Sequence, residues 1–297
     1  MELFLARLFD GISAGATYAA IAVALVLIYK ATTLINFAQG ELAMLGSFVA
    51  YIFAVEQGLP VVVALVLAMA LTAVLAGGIE RVLIRPFDPS NHLPLVIITL
   101  GLFLLINAVA GMVWGFDPRN FPGLFPDDDL LTVGIARLRW YTVGTLVTVV
   151  ALLVALTLLL KRTKVGLAFR AVSSNLESAG LVGVRAGPTL QFGWALAAAV
   201  GTLAGVLFVS DPFRQLEPTY AQRVLIFASA AAVLGGLDSL WGALAGGLAL
   251  GLVESMVVGY VDFIPSQMGL ATAVFVIIAV LIVRPAGLFG SKRVERV

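Results

Sequence analysis

Asn36, Gln39 and Glu41 stand close together in "LINFAQGELAMLGSF", residues 34–48, with Gly40 between the last two. Two amides and a carboxylate at this spacing can hydrogen-bond the charged ends of a small polar molecule, or simply bond from helix to helix. Thr99 and Asn107 offer the same two uses. Glu41 has a third reading, solvation at an interface, and Glu254 a fourth, pairing with backbone or a neighbouring helix. Enzyme chemistry has little to work with. The chain has no cysteine and a single histidine, His92, so thiol nucleophiles, disulfides and iron–sulfur ligation are excluded and Ser/His or metal constellations are almost unavailable. Asp127, Asp128 and Asp129 can bind a cation, sit as a solvated loop, or form a rim that meets a basic patch. No cofactor is implied.

These polar groups interrupt sequence that leaves water. Of 297 residues 61% are hydrophobic and 12% charged, and the mean hydropathy is +1.07. An ordinary soluble domain is about one quarter charged. The composition is that of a membrane protein, with the lipid bilayer as its first partner. A net charge of +1 gives no sign of nucleic acid as a partner. The N-terminal segment, with Glu2, Arg7 and Asp10 in its first ten residues, does not read as a signal peptide.

A helix needs about 20 apolar residues to cross the hydrocarbon. Charge-free runs of 19, 23, 28, 21, 25 and 21 residues follow Asp10, Glu56, Asp88, Arg139, Arg185 and Asp262. Barrel-type alternation is absent, so the expected fold is all-α: a polytopic transmembrane helical bundle in a single domain, residues 1–297, with seven to nine spans, discontinuous helices and a cytoplasmic coupling helix.

Lys and Arg orient it. The loop from Lys161 to Arg185 has five basic residues against Glu177, and the tail from Arg284 has four against Glu295. Both are expected in the cytoplasm, and the acid-rich loop 117–139 outside. The N-terminus is then external and the C-terminus cytoplasmic. Residues 31–55 cross once while carrying the polar cluster, near the inner end. A second interruption, "VLGGLDSLWGALAGG", which includes Gly235 and Gly236, fits either two short crossings or a re-entrant hairpin. Broken helices in both halves are a transporter pattern, with unwound backbone facing a cavity. The competing reading is close helix packing, since Gly235, Gly236, Gly242, Gly246, Gly247 and Gly251 include small-xxx-small spacing.

The basic loop, 161–189, has its own order. Ser174 and Glu177 form an S-x-x-E capping box, Gly183 suits a left-handed terminus, and Pro188 lies beyond. The spacing predicts a helix over Asn175 to Val182. So short a helix is marginal alone in water. Its small, neutral centre suits a protein groove better than a membrane surface.

The stretches "GLAFRAVSSNLESAGLVGV", "INFAQGELAMLGSF", "VLGGLDSLWGALAGGLALGLVES" and "RPAGLFG", which span most of the chain and fall in the expected order along it, resemble the permeases of ABC importers, specifically the branched-chain amino acid permease family. The urea-type permeases of the same superfamily are similar. The family often has histidine where Gln39 stands, so no imidazole role carries over.

The resemblance implies a bacterial inner-membrane permease subunit importing branched-chain or other hydrophobic amino acids by ATP-driven alternating access. It implies as partners a second permease subunit, two cytoplasmic ATP-binding subunits and an extracytoplasmic substrate-binding protein. Arg170, Ser174, Leu176, Glu177, Leu181 and Gly183 are the candidate ATPase-coupling residues. Asn36, Gln39, Gly40, Glu41, Asn107, Gly235 and Gly236 are the candidate substrate pathway. The chain has no G-x-x-x-x-G-K-[ST] motif, so an ATPase must be another chain. The alternatives are a urea or short-chain amide permease, an ion-coupled secondary transporter, which would want ionisable groups along its spans, and an intramembrane enzyme.

Overall fold

The computed structural model describes residues 1–87, 92–211, 215–261, 271, 274–275, 278–280, 282, 284 and 287–290. In hydrocarbon every backbone amide must be satisfied within the chain, and most of the described residues are helical.

α1 (Glu2–Thr32) is the central post. Apolar all round, it is buried all round: Ala19 to Ile28 are at most 1% exposed. Residues 33–38 leave the helix, and α2 (Gln39–Tyr51) follows, running on into a π-helical turn at Ile52–Glu56. α3 (Val61–Ile79) ends likewise in a π-helical turn, Glu80–Ile84. α4 (His92–Trp114) leads to a two-stranded hairpin, β1 (Asp129–Val133) and β2 (Ala136–Arg139), and then α5 (Trp140–Arg162). Two short helices, α6 (Lys164–Ser174) and α7 (Leu176–Leu181), precede α8 (Ala186–Val209). α9 (Tyr220–Gly235) and α10 (Leu240–Tyr260) close the described bundle.

Six of the described helices are long and apolar enough to cross a membrane. Five fall on charge-free runs recognised in the sequence, and the sixth is α10. The last run, 263–283, lies largely outside the described residues. α9, at 16 residues, is shorter.

Two faces are distinguishable. Lys30 Nζ donates to the Asp238 carbonyl at 2.8 Å and Arg85 to the Gly187 carbonyl at 3.1 Å. A cavity also joins Arg85 to Ser173 and Leu176. This is the basic face. At the opposite, acidic face Arg119 pairs with Glu56 and Arg139 with Asp211, and Arg119 bridges backbone to backbone with Leu216.

Outward surfaces differ by helix. α3, α4 and α5 expose large aliphatics such as Val66, Val74, Leu104, Met112, Val147 and Leu158, the surface expected against lipid tails. α1 and α10 instead meet through small residues. A Cβ on Gly15 would lie 2.7 Å from the Leu248 Cα, and one on Gly247 2.6 Å from the Ala19 nitrogen. Such a stripe lets backbones approach without a large apolar driving force.

Candidate functional site

The polar interruption after α1 is a compact nest. Asn36 Oδ1 accepts from the Ala38 amide at 3.0 Å, turning the chain into α2. Gln39 Nε2 donates to the Ala197 carbonyl at 3.0 Å. Ala197 lies midway along α8, so α2 begins near the middle of its neighbour. Glu41 is not interfacial as its sequence position suggested: it is 0% exposed. The six non-helical residues 33–38 account for this, because they carry the chain inward before the helix resumes. Asn107 Nδ2 donates to Glu41 Oε2 at 3.2 Å and to the Pro218 carbonyl at 3.1 Å. Ser47 and Tyr220 share a hydroxyl contact at 2.9 Å.

Asn36, Gln39, Glu41 and Asn107 are therefore gathered around the first turn of α2, between α4, α8 and α9. Three of their polar atoms, Asn36 Nδ2, Gln39 Oε1 and Glu41 Oε1, have no hydrogen-bond partner among the described residues. Each such buried atom costs about 1–3 kcal/mol. A structure that tolerates three together keeps hydrogen-bonding capacity in reserve. Gly40 adds none: its missing Cβ leaves room for α9, where an added one would lie 3.0 Å from the Ala221 carbonyl oxygen.

Gly235 and Gly236 are not part of this nest. They end α9 at the basic face. Gly235 abuts Gly242, and Gly246 abuts Ala231 and Gly235, so the α9–α10 hairpin closes backbone on backbone. Gly236 has φ 103, and a Cβ there would lie 2.5 Å from the Gly290 nitrogen. The amides of Leu288 and Phe289 donate to the Leu234 and Gly235 carbonyls at 2.8 and 3.0 Å. The terminal "GLFG" thus satisfies carbonyls that a helix end leaves open.

On the basic face the order of the loop differs in detail from its sequence reading. Ser174 does not cap α7; it is the last residue of α6. Asn175, at φ −159 and ψ 112, is the N-cap, and its Oδ1 accepts from the Ser178 amide at 2.8 Å. Asn is at least as good a cap as Ser, and Ser174 is already committed to helix. α7 accordingly runs from Leu176 to Leu181 rather than from Asn175 to Val182. Gly183, at φ 84, follows it in the left-handed region. Arg170 lines a second basic-face cavity with Lys161 and Asp238. Leu181 and Val182 are 87% and 77% exposed while Ala179 is buried, so α7 is held by its small side and presents its large one.

α6 was not foreseen. Its signal was present: Thr163 caps it by accepting from the Gly166 amide at 3.0 Å, and Phe169 and Val172, three apart, point inward. Also unforeseen was an ion pair between buried Glu80 and exposed Arg85, five residues apart across a π-helical turn at 2.6 Å. Glu254 accepts from the Tyr18 hydroxyl at 2.8 Å.

Comparison with known proteins sets this geometry in context. The family described as "Branched-chain amino acid transport system / permease component" matches residues 7–283. The high-affinity branched-chain amino acid transport system permease protein LivH of Escherichia coli K12 is 30% identical, over 99% of this chain and 98% of that one. BraD of Pseudomonas aeruginosa, of the same description, is 30% identical with the same coverage. A probable permease of this kind from Methanocaldococcus jannaschii is 31% identical over 93% of this chain and 90% of its own. Among solved structures, PsaBC from Streptococcus pneumoniae in complex with Fab shares the fold, with a TM-score of 0.50, 15% identity, and 96% and 93% of the two chains covered.

Proposed function

This chain belongs to the family of branched-chain amino acid transport permease components, and we propose on that premise that it is one permease subunit of an ATP-driven importer of aliphatic amino acids. The observation that carries the proposal is the end-to-end similarity to LivH-type permeases. It joins a second permease subunit to enclose the path, receives substrate from an extracytoplasmic binding protein, and docks two ATP-binding subunits on its basic face. That face, with the C-terminus, lies in the cytoplasm of a bacterial inner membrane, and the acidic face outside.

The physical division of labour is as follows. The chain has no G-x-x-x-x-G-K-[ST] motif, and in this reading the energy enters mechanically from the partner chains. The end of α7 offers Leu181 and the following Val182 to a groove of the ATPase, and α7 is tied to the bundle through α6 and α8. Movement of α7 shifts the start of α8, and with it the helices that surround the nest. The nest at α2, with Asn36, Gln39, Glu41 and Asn107, supplies polar partners for the charged ends of a zwitterion in an otherwise apolar bundle. Two states biased by nucleotide at a distant site are all that alternating access requires.

The test is reconstitution. In liposomes holding this chain with its second permease and ATPase subunits, leucine delivered by the binding protein is taken up only with ATP. Uptake that persists without the ATPase subunits, driven by a proton or sodium gradient, contradicts the proposal and favours an ion-coupled carrier. Uptake of urea or acetamide but not leucine keeps the class and replaces the substrate.

A further inference from the structure

The acidic face holds a cleft of about 360 Å³, lined among others by Tyr18, Phe208, Glu217, Tyr220, Arg223 and Phe227. Its volume is at the lower end of the range typical of small-molecule sites. Its floor is aromatic. Tyr18 stacks on Phe227 with ring centres 4.7 Å apart and planes at 2°, and Phe208 stacks on Tyr220 at 4.9 Å. Its mouth is ionic: Arg223 Nη2 donates to Glu217 Oε1 at 2.6 Å.

The rim of the cleft differs from the aliphatic surface of α3, α4 and α5. α9 turns Gln222 and Arg223 outward, whereas α3, α4 and α5 turn out aliphatics. Ionised groups within spanning segments face water-filled cavities or protein, since lipid makes them costly. The cleft also adjoins the nest. Tyr220 lines the cleft and shares its hydroxyl contact with Ser47. The Pro218 carbonyl, next in sequence to Glu217, accepts from the same Asn107 that donates to Glu41.

We propose that this cleft is a low-affinity waypoint for an amino-acid zwitterion, with Arg223 taking the carboxylate, Glu217 the ammonium group, and the stacked rings the aliphatic side chain. The assignment deepens the function proposed above and rests on it. Its chemistry is complementary at three points. A guanidinium matches a carboxylate in fork geometry, a carboxylate accepts from an ammonium, and the ring faces with Val224 accept a branched alkyl group. Entry of a zwitterion exchanges one ion pair for two, so no charge is left unpaired in the empty or the filled state. Because the empty site is already satisfied by its own pair, binding gains little net free energy. Weak binding is what a pathway needs, since a tight site releases slowly.

The tests use the full transporter with its partner subunits in liposomes. Wild-type complex must first take up leucine; if it moves no aliphatic amino acid, the functional reading falls and this site with it. Arg223→Gln and Glu217→Gln, each checked for assembly with the ATPase subunits, are expected to lower leucine uptake roughly tenfold, as loss of one charged hydrogen bond implies. The exchange variant Glu217→Arg/Arg223→Glu separates binding from structure. A merely structural pair is restored by exchange, whereas a zwitterion site is inverted and stays impaired. Recovery of wild-type uptake in the exchange variant overturns the site and leaves the functional reading standing. A readout independent of turnover uses the absence of native cysteine. Gln215→Cys, at the cleft, reacts with an impermeant maleimide added from the external side, and millimolar leucine slows that reaction while millimolar urea does not. Equal rates with and without leucine overturn the proposal.

Discussion

The two interruptions look alike as sequence: "NFAQGELAMLGS" and "GGLDSLWGALAGG" both set glycine and polar residues in an apolar strip. In the folded chain they are opposites. At the start of α2 the polar side chains are buried together and three of their atoms find no partner among the described residues. In the α9–α10 hairpin the glycines meet one another, and the exposed carbonyls at the end of α9 are satisfied by the amides of Leu288 and Phe289. The first region carries unspent hydrogen-bonding capacity; the second has used its own. Glycine in a membrane helix therefore signals close approach of backbones, and a hint of function comes only from unsatisfied polar atoms beside it.

The largest effect is expected where packing is tightest. Gly247→Leu drives a branched side chain into Ala19, whose backbone nitrogen stands 2.6 Å from where even a Cβ would lie. Overpacking of this kind costs about 1–3 kcal/mol and sometimes more, and backbone on α1 cannot rotate away. The purified protein is expected to melt at markedly lower temperature and to accumulate poorly. A melting temperature equal to wild type would remove the packing role assigned to this stripe.

Gly40→Leu comes next and bridges the two regions, because Gly40 belongs to the nest by position and to helix packing by contact. Its added Cβ would lie 3.0 Å from the Ala221 carbonyl oxygen and 3.1 Å from the Leu225 Cβ. Stability and uptake are expected to fall together, by about 1–3 kcal/mol in stability. A drop in uptake with unchanged melting would place Gly40 with the functional nest instead.

The smallest effect serves as a control outside both regions. Asn175→Ala removes the cap of α7 and should cost about 1 kcal/mol locally, read as faster amide exchange in Leu176–Leu181 and weaker stimulation of the partner ATPases. Ser174→Ala should change neither. Equal effects from the two would restore Ser174 as the cap.

Much of this architecture was legible in the chain. Hydrocarbon thickness converts the spacing of charges into spans, which is why α1, α3, α4, α5 and α8 each fall on a charge-free run. The basic loop announced itself through Gly183 and a short capped helix. Depth was not legible. Glu41 follows Lys30 by only eleven positions, which places it near the inner edge if the helix is continuous; the unwound residues 33–38 carry it into the core. Contacts across the bundle were equally hidden, since nothing local pairs Asn107 with Glu41. The cap was misplaced because Ser174 and Asn175 are both good N-caps and local sequence does not say where α6 stops.

The contrast between a reserve of polar capacity at α2 and a backbone-packed hairpin at α9–α10 is tested most directly by Glu41→Gln, with melting temperature and ATP-dependent leucine uptake per folded molecule measured on the same preparation. The substitution keeps the shape and an oxygen for Asn107 while removing the ionisable carboxyl. The expected result is a melting temperature at or above wild type with uptake reduced about tenfold, the size of one lost charged hydrogen bond. A lower melting temperature with uptake per folded molecule unchanged would make Glu41 a structural residue and erase the distinction between the two regions.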